Sequence, residues 1–413
     1  MPQIKDALVE GNPWWKGEFL LEYKEREVYS RVKKFMRMPQ MVALTGLRRV
    51  GKTTLLLKIV KDSLDRGADP SSILYFSFDE FRGVELREVL KSYEALLERD
   101  LRDGGILLLD EVQKLEGWED QVKRVYDTYK KVKIVLSGSE SLFLGKGKRE
   151  SLAGRMFEIL VKPLTFREFL GFMGVNYQPV GLHEKELARL FEKFLLTSGF
   201  PELVNVKDRD IIRTYIQETV VEKIIYRDIP TLFPLKDVSV LDSIFTTLFE
   251  EPGQLIDIQG FSQNLGLSRH TLSKYLKYLE DSYLVAKLYN YSRSRRKTER
   301  KLKKYYPTVL NADALAKGTK EAGSIFENAV VLQAGAEFFW RDSRKNEVDI
   351  VLANRKPVPV EVKSGKIEVK GLHAFMKAFK VKESIIITHD REETIKKGGK
   401  TIKAIPAYKF FLK

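Results

Sequence analysis

Gly46-Leu47-Arg48-Arg49-Val50-Gly51-Lys52-Thr53 follows an apolar run, Met41 to Leu44, and leads into Thr54-Leu-Leu-Leu-Lys-Ile-Val60. The spacing is G-x-x-x-x-G-K-[ST], and a strand leading in with a helix leading out is the context this pattern needs. Glycines let the backbone wrap closely around phosphate oxygens, so that successive N–H groups and a helix N-terminus face the anion. Lys52 adds a positive charge for the β- and γ-phosphates, and the Thr53 hydroxyl can ligate Mg²⁺. Residues 46–54 therefore read as the loop that holds ATP and its metal.

Outward from the loop, strand and helix patterns alternate, as in a parallel sheet covered on both faces. The expected strands are 41–45, 73–78, 106–110, 133–137 and 157–161. Two of them end in Asp-Glu, at Asp79-Glu80 and at Asp110-Glu111. In P-loop ATPases with a catalytic glutamate, the carboxylate on the magnesium side lies on the third strand in sequence. Ile106-Leu-Leu-Leu109 also suits a central strand buried on both faces. Asp110 is thus the expected metal-side carboxylate and Glu111 the catalytic one, with Asp79 and Glu80 at the sheet edge. Residues 1–40 form an N-terminal segment, in which Trp14 and Trp15 read as a lid packed on the core in preference to an adenine stack.

The chain has 413 residues, 43% hydrophobic and 31% charged, with a net charge of +15. It has no cysteine and four histidines, which excludes disulfides and thiolate zinc sites and disfavours a histidine-built metal site. No apolar stretch reaches the eighteen or so residues of a membrane span, and no signal-peptide layout is present, so a cytosolic protein is expected. Abundant Lys, Arg and Glu without cysteine suit a thermophile, as in archaea. The basic excess favours polyanionic partners, DNA above all.

That charge is clustered. Residues 163–235 read as helical, the small lid after a nucleotide core, and 236–313 as a winged helix. Ser268 caps a helix from Arg269 to Asp281 whose inward stripe is Thr271, Leu272, Tyr275, Leu276 and Leu279. Arg269, His270, Ser273, Lys274 and Lys277 are left outward. Two apolar runs then flank residues 292–304, which hold eight basic residues against one acid. Arg293, Arg295, Arg296, Lys301, Lys303 and Lys304 are candidates for phosphate contacts at the tip of a wing hairpin, giving affinity more than sequence readout. The alternative is a solvated loop.

Residues 314–413 hold a second constellation. Glu327 lies among Ile325, Phe326, Val330 and Val331, where an unpaired carboxylate is expensive. Asp349 follows on one strand, and Glu361 and Lys363 share one face of another. Glu…Asp-(x₁₁)-Glu-x-Lys is the layout of restriction-endonuclease-like metal nucleases, whose carboxylates hold Mg²⁺ while the lysine orients water. A chance Glu-x-Lys in a lysine-rich strand is the plainer reading, and such folds also persist as binding modules.

Taken in order, these motifs make the chain resemble archaeal and bacterial AAA-type ATPases that end in a winged helix and a nuclease-like domain of unknown function. Further stretches that match are Ser137-Gly-Ser139, Leu152-Ala-Gly-Arg155, Pro163-Leu-Thr-Phe-Arg-Glu-Phe169, Gly199-Phe-Pro-Glu202 and Tyr226-Arg-Asp228. The resemblance implies an α/β fold: an AAA-type parallel-sheet core over 41–162, a helical lid over 163–235, a winged helix over 236–313 and a restriction-endonuclease-like domain over 314–413. It implies Mg²⁺-dependent ATP hydrolysis, with Glu111 taking the proton of the attacking water and Ser137 or Ser139 sensing the γ-phosphate. Arg155 is then a candidate arginine finger, in cis or from a neighbour in a homo-oligomer. The reading is a DNA-engaging ATPase; its rival is a nucleotide-dependent switch whose C-terminal half docks a protein partner.

Overall fold

The computed structural model describes residues 4–81, 83–138, 152–294, 296, 298, 302–311, 321–353, 355–365 and 368–412. The chain divides into two compact units, Met1–Lys162 and Pro163–Lys413.

The first unit is built on five parallel strands: β1 (Met41–Thr45), β2 (Ile73–Ser77), β3 (Gly105–Asp110), β4 (Val132–Gly138) and β5 (Met156–Leu160). Their spatial order is β2-β3-β4-β1-β5. The strands with the longest aliphatic runs take the middle, and all five residues of β1 are buried. Parallel strands flanked by helices on both faces need such continuous apolar sequence. The helix Lys52–Leu64 leaves the loop at the C-terminal end of β1 and buries Leu55, Leu56, Ile59 and Val60.

β2 is an edge strand, so its free N–H and C=O groups need cover. The N-terminal segment supplies it. The Asn12 amide donates to the Tyr75 carbonyl at 2.9 Å and accepts from the Tyr75 N–H at 2.7 Å, replacing one residue of a neighbouring strand. Trp14 and Trp15 both donate their indole N–H to the Ile73 carbonyl, at 3.1 and 3.0 Å. The tryptophan pair is edge cover, and its ring nitrogens are committed to β2 instead of a base.

In the second unit, the helices Phe166–Phe172 and Glu184–Leu196 place Phe166, Phe169 and Phe191 in one core with Phe326, Ile350 and Tyr408. Pro163-Leu-Thr-Phe and Gly199-Phe-Pro-Glu, distant in sequence, lie against each other: the Leu164 N–H donates to the Gly199 carbonyl at 2.7 Å. A Cβ on Gly199 would stand 2.7 Å from the Leu164 carbonyl oxygen, which explains the glycine. Residues from 163–235 thus share a core with C-terminal residues inside one compact unit.

Residues 238–307 run helix Val238–Glu250, β6 (Gln254–Ile256), helix Ile258–Asn264, helix Arg269–Asp281, β7 (Val285–Asn290) and β8 (Lys303–Pro307). β6, β8 and β7 are antiparallel neighbours. That sheet continues: β9 (Phe338–Arg341) joins β7 in parallel and β10 (Glu347–Val348) follows. A last sheet holds β11 (Ile350–Leu352), β12 (Val358–Lys363), β13 (Glu383–Thr388), β14 (Glu393–Lys397) and β15 (Lys400–Pro406), in the order β11-β12-β13-β15-β14. Among the described residues no helix is long and apolar enough to cross a membrane.

Candidate functional site: the phosphate loop and its carboxylates

The loop's curl depends on two glycines. Gly46 has φ +139°, and a Cβ there would meet the Val161 carbonyl oxygen at 2.1 Å; Gly51 has φ +92°. Arg49 is also left-handed, at φ +64°. Leu47 and Val50 are buried beneath the loop, while Arg48 is half-buried and Arg49 exposed. The Lys52 ammonium lies inside the curl, donating to the carbonyls of Leu47 (2.8 Å) and Gly46 (3.2 Å). Thr54 follows in the first turn of the helix and is exposed. Arg26, itself buried, braces the loop from outside by donating to the Val50 carbonyl at 2.7 Å and to the Lys162 carbonyl at 2.7 Å.

β3 brings its terminal carboxylate to the same place. Thr53 Oγ1 donates to Asp110 Oδ2 at 2.7 Å, so the hydroxyl and carboxylate that would hold Mg²⁺ are already adjacent. This oxygen donor pair, at the mouth of a loop lined by backbone N–H groups, fits a magnesium-bound triphosphate. Asp110 is 3% exposed and collects further donors. Its Oδ1 accepts from the Ser137 hydroxyl and, at 3.1 Å, from the Glu111 N–H. The Ser137 hydroxyl also accepts from the Glu111 N–H at 3.3 Å. Ser137 has no exposed surface, and its hydroxyl is engaged with Asp110 and the Glu111 N–H. Ser139 lies outside the described residues.

Glu111 stands in the left-handed region, at φ +53°, where the chain turns sharply out of β3. Its Oε2 accepts from Gln113 Nε2 at 2.6 Å, which fixes the carboxylate's direction. Glu80 is in an exposed turn beyond β2, and Asp79 pairs with Lys114. Arg155 precedes β5, and its carbonyl accepts from the Met41 N–H at 2.8 Å, at the N-terminal end of β1. The loop leaves the other end of that strand, about 13 Å along it. Arg155 also contacts Asp127 at 3.4 Å. This placement sets Arg155 and the phosphate loop at opposite ends of β1.

Sequence reasoning misses Tyr75. Its hydroxyl donates to Asp110 Oδ2 at 3.0 Å, the oxygen that Thr53 also reaches. Burial, with the Asp110 charge beside it, pushes the phenol pKa far up and keeps the group a donor. A polar-tipped ring next to the carboxylate strand is the one signal that could have found it. Tyr75→Phe is expected to leave ATP binding intact, raise the Mg²⁺ concentration needed for half-maximal hydrolysis, and lower kcat/KM about five- to tenfold, the equivalent of ~1–1.4 kcal/mol. A Mg²⁺ titration of the ATPase checks it, and an unmoved midpoint would leave Tyr75 a packing residue.

In the second unit, helix Arg269–Asp281 buries Leu272, Tyr275, Leu276, Tyr278 and Leu279 and leaves Arg269, His270, Ser273, Lys274 and Lys277 exposed. Lys277 is ion-paired with Asp281 at 2.5 Å, which offsets its charge. Arg293 and Arg296 are exposed, the former with its guanidinium over the Phe379 ring at 5.5 Å. Lys303 is half-buried, and Arg295 and Lys301 lie outside the described residues. Lys304 is a correction. It is 5% exposed, on the central strand of the β6-β8-β7 trio, and pairs with Glu347 (2.6 Å) and Glu327 (3.4 Å). Its place in the β8 alternation, on the same face as buried Tyr306, turns it inward, away from any DNA backbone.

Glu327, Asp349, Glu361 and Lys363 do come into one electrostatic neighbourhood. Burial, reinforced by Glu327 and Glu361, pushes the Asp349 carboxyl well up. Burial likewise raises Glu361, partly offset by Lys363 at 2.7 Å. Yet among the described residues no three Asp, Glu, His or Cys side chains are grouped to hold a metal ion. The four residues do not fit the expected metal cage.

With this geometry in view, residues 38–170 match the model of an AAA domain, 188–308 that of a domain of unknown function (DUF8612) and 322–410 that of a second one (DUF4143). The match to an AAA domain thus falls almost wholly within the first unit. The uncharacterized protein MJ1544 of Methanocaldococcus jannaschii is 28% identical over 359 residues, 82% of this chain and 78% of the relative. MJ1637 of the same organism is 27% identical over 391 residues, 84% and 80% of the two chains. Among solved structures, Cdc6p from Pyrobaculum aerophilum is similar at 14% identity and TM-score 0.31, covering 75% of this chain and 96% of that one. AMPPCP-bound DnaA from Aquifex aeolicus is similar at 15% identity and TM-score 0.31, covering 63% and 89%.

Proposed function

We propose that the protein is a Mg²⁺-dependent ATPase that engages DNA through its second unit. The observation that carries the ATPase reading is the hydrogen bond of Thr53 to Asp110, which joins the phosphate loop to the carboxylate strand. Lys52 and the loop N–H groups hold the phosphates. Thr53 and Asp110 are the residues that would hold Mg²⁺, which supplies charge neutralisation on the β- and γ-phosphates. Glu111, held by Gln113, accepts the proton of the attacking water, while Ser137 and Tyr75 keep Asp110 in place. Arg155 serves as an arginine finger only across a subunit boundary, in a homo-oligomer.

The DNA reading is supported by the succession of helix, β6, two helices and the β7–β8 hairpin, the order of a winged helix. Exposed Arg269 and Lys274 on its second helix of the pair, with the basic stretch between β7 and β8, offer positive charge for phosphates. The C-terminal sheet is a nuclease-like frame used for binding. Single-stranded, duplex or branched DNA is expected to raise the ATPase rate severalfold, and Lys52→Ala to remove that activity. If none of these DNAs binds or stimulates, the DNA reading fails and the switch that docks a protein partner takes its place.

A further inference from the structure

The second unit gathers four carboxylates in one region, the buried Asp349 and Glu361 and the half-buried Glu327 and Glu347, around a lysine that comes from the hairpin. Lys304 is on β8, Glu327 on the helix Glu321–Ala334 and Glu347 on β10, the far edge of the same sheet. We infer that Lys304 is the resident cation of this cluster, and that its ammonium neutralises the carboxylates where the sequence pattern leads one to expect a divalent metal.

Every carboxylate of the cluster meets at least one donor. Glu327 Oε1 accepts from the Tyr306 hydroxyl at 2.6 Å and meets Lys304 Nζ at 3.4 Å. One oxygen of Glu347 faces Lys304 at 2.6 Å and the other Arg341 at 2.8 Å. Asp349 Oδ2 accepts the Val362 N–H at 2.8 Å, and Glu361 Oε1 is paired with Lys363. Each carboxylate is thus engaged by a donor of the chain itself. A Mg²⁺ ion needs oxygens at about 2.0–2.1 Å around one point in near-octahedral order. The ammonium contacts here are longer and fan out from Nζ to separate elements. Glu361 Oε2 is the one buried oxygen of the cluster with no hydrogen-bond partner among the described residues. Burial opposes the Lys304 charge, but Glu327, Asp349 and Glu347 together hold its pKa above that of an ordinary lysine, so the cation is permanent. Because Lys304 also sits in the ladder of β8, between Leu255 and Leu288, it ties the base of the basic hairpin to the cluster.

The test uses nucleotide-free, full-length protein and Mn²⁺ as the probe, followed by the electron paramagnetic resonance signal of the free ion. The wild-type chain and Asp349→Asn are expected to give the same Mn²⁺ isotherm, since Asp349 takes part in no metal site. Lys304→Met is expected to gain an Mn²⁺ ion at millimolar concentration, and Lys304→Met with Asp349→Asn to lose it again. Mn²⁺ uptake by wild type that Asp349→Asn removes overturns the inference, as does a folded Lys304→Met that gains none. If Lys304→Met does not fold, the comparison of wild type with Asp349→Asn decides alone. The ATPase reading concerns the first unit only and survives either result.

Discussion

Glu111→Gln is expected to bind ATP as the wild type does and to hydrolyse it about 10²–10⁴ times more slowly, the usual share of a general base. The amide keeps the shape of the side chain and its contact with Gln113, but it cannot take a proton. Glu80→Gln is expected to turn over within a factor of two or so of wild type, because Glu80 lies in an exposed turn beyond the edge strand. Lys52→Ala is expected to fail one step earlier. It removes the buried ammonium that now rests on the Gly46 and Leu47 carbonyls, and with it the loop's charge for the β- and γ-phosphates. Phosphate release and a fluorescent-nucleotide titration on the three variants separate the two defects. Normal turnover in Glu111→Gln, with loss in Glu80→Gln, would move the catalytic carboxylate to β2 and sink the assignment of β3.

The features that are legible in the sequence are those in which chemistry and backbone are contiguous. The loop from Gly46 to Thr53 carries its own strand, turn and helix, and the aliphatic run before Asp110 marks a strand buried on both faces. What stays hidden depends on pairings between residues far apart in the chain. Asn12 standing in for a strand beside Tyr75, or Arg26 bracing Val50, leaves no local periodicity to detect. The packing of 163–235 with the C-terminal strands escapes for a related reason: a helix shows which face is apolar but not which partner covers it. Lys304 is instructive in another way. Its charge merges with the run before it, although strand alternation from Lys303 to Tyr306 sets Lys304 on the face of Tyr306 and Lys303 on the opposite one. Counting charge along a run hides a period-two pattern that begins where the hairpin's second strand begins.

That distinction shapes the prediction for DNA. Replacing Arg293, Arg295, Arg296, Lys301 and Lys303 with Ala is expected to weaken binding to duplex DNA and to flatten its dependence on salt. Each phosphate that is no longer neutralised takes about 0.9 off the slope of log K against log salt, so the five together account for at most about 4.5. The share of Arg293 is expected to be smaller, because its guanidinium already lies over Phe379 and must leave that ring to reach a phosphate. Lys304→Met, in contrast, is expected to leave the slope unchanged, since a buried ammonium paired with Glu347 and Glu327 releases no counterion from DNA. Fluorescence anisotropy of a labelled duplex over a series of salt concentrations reads both variants. If the fivefold variant keeps the wild-type slope, the hairpin is not a phosphate-contacting element, and its charge is better explained by an acidic protein partner. If Lys304→Met flattens the slope while the protein stays folded, the lysine reaches DNA after all and its pairing within the cluster is not a permanent one.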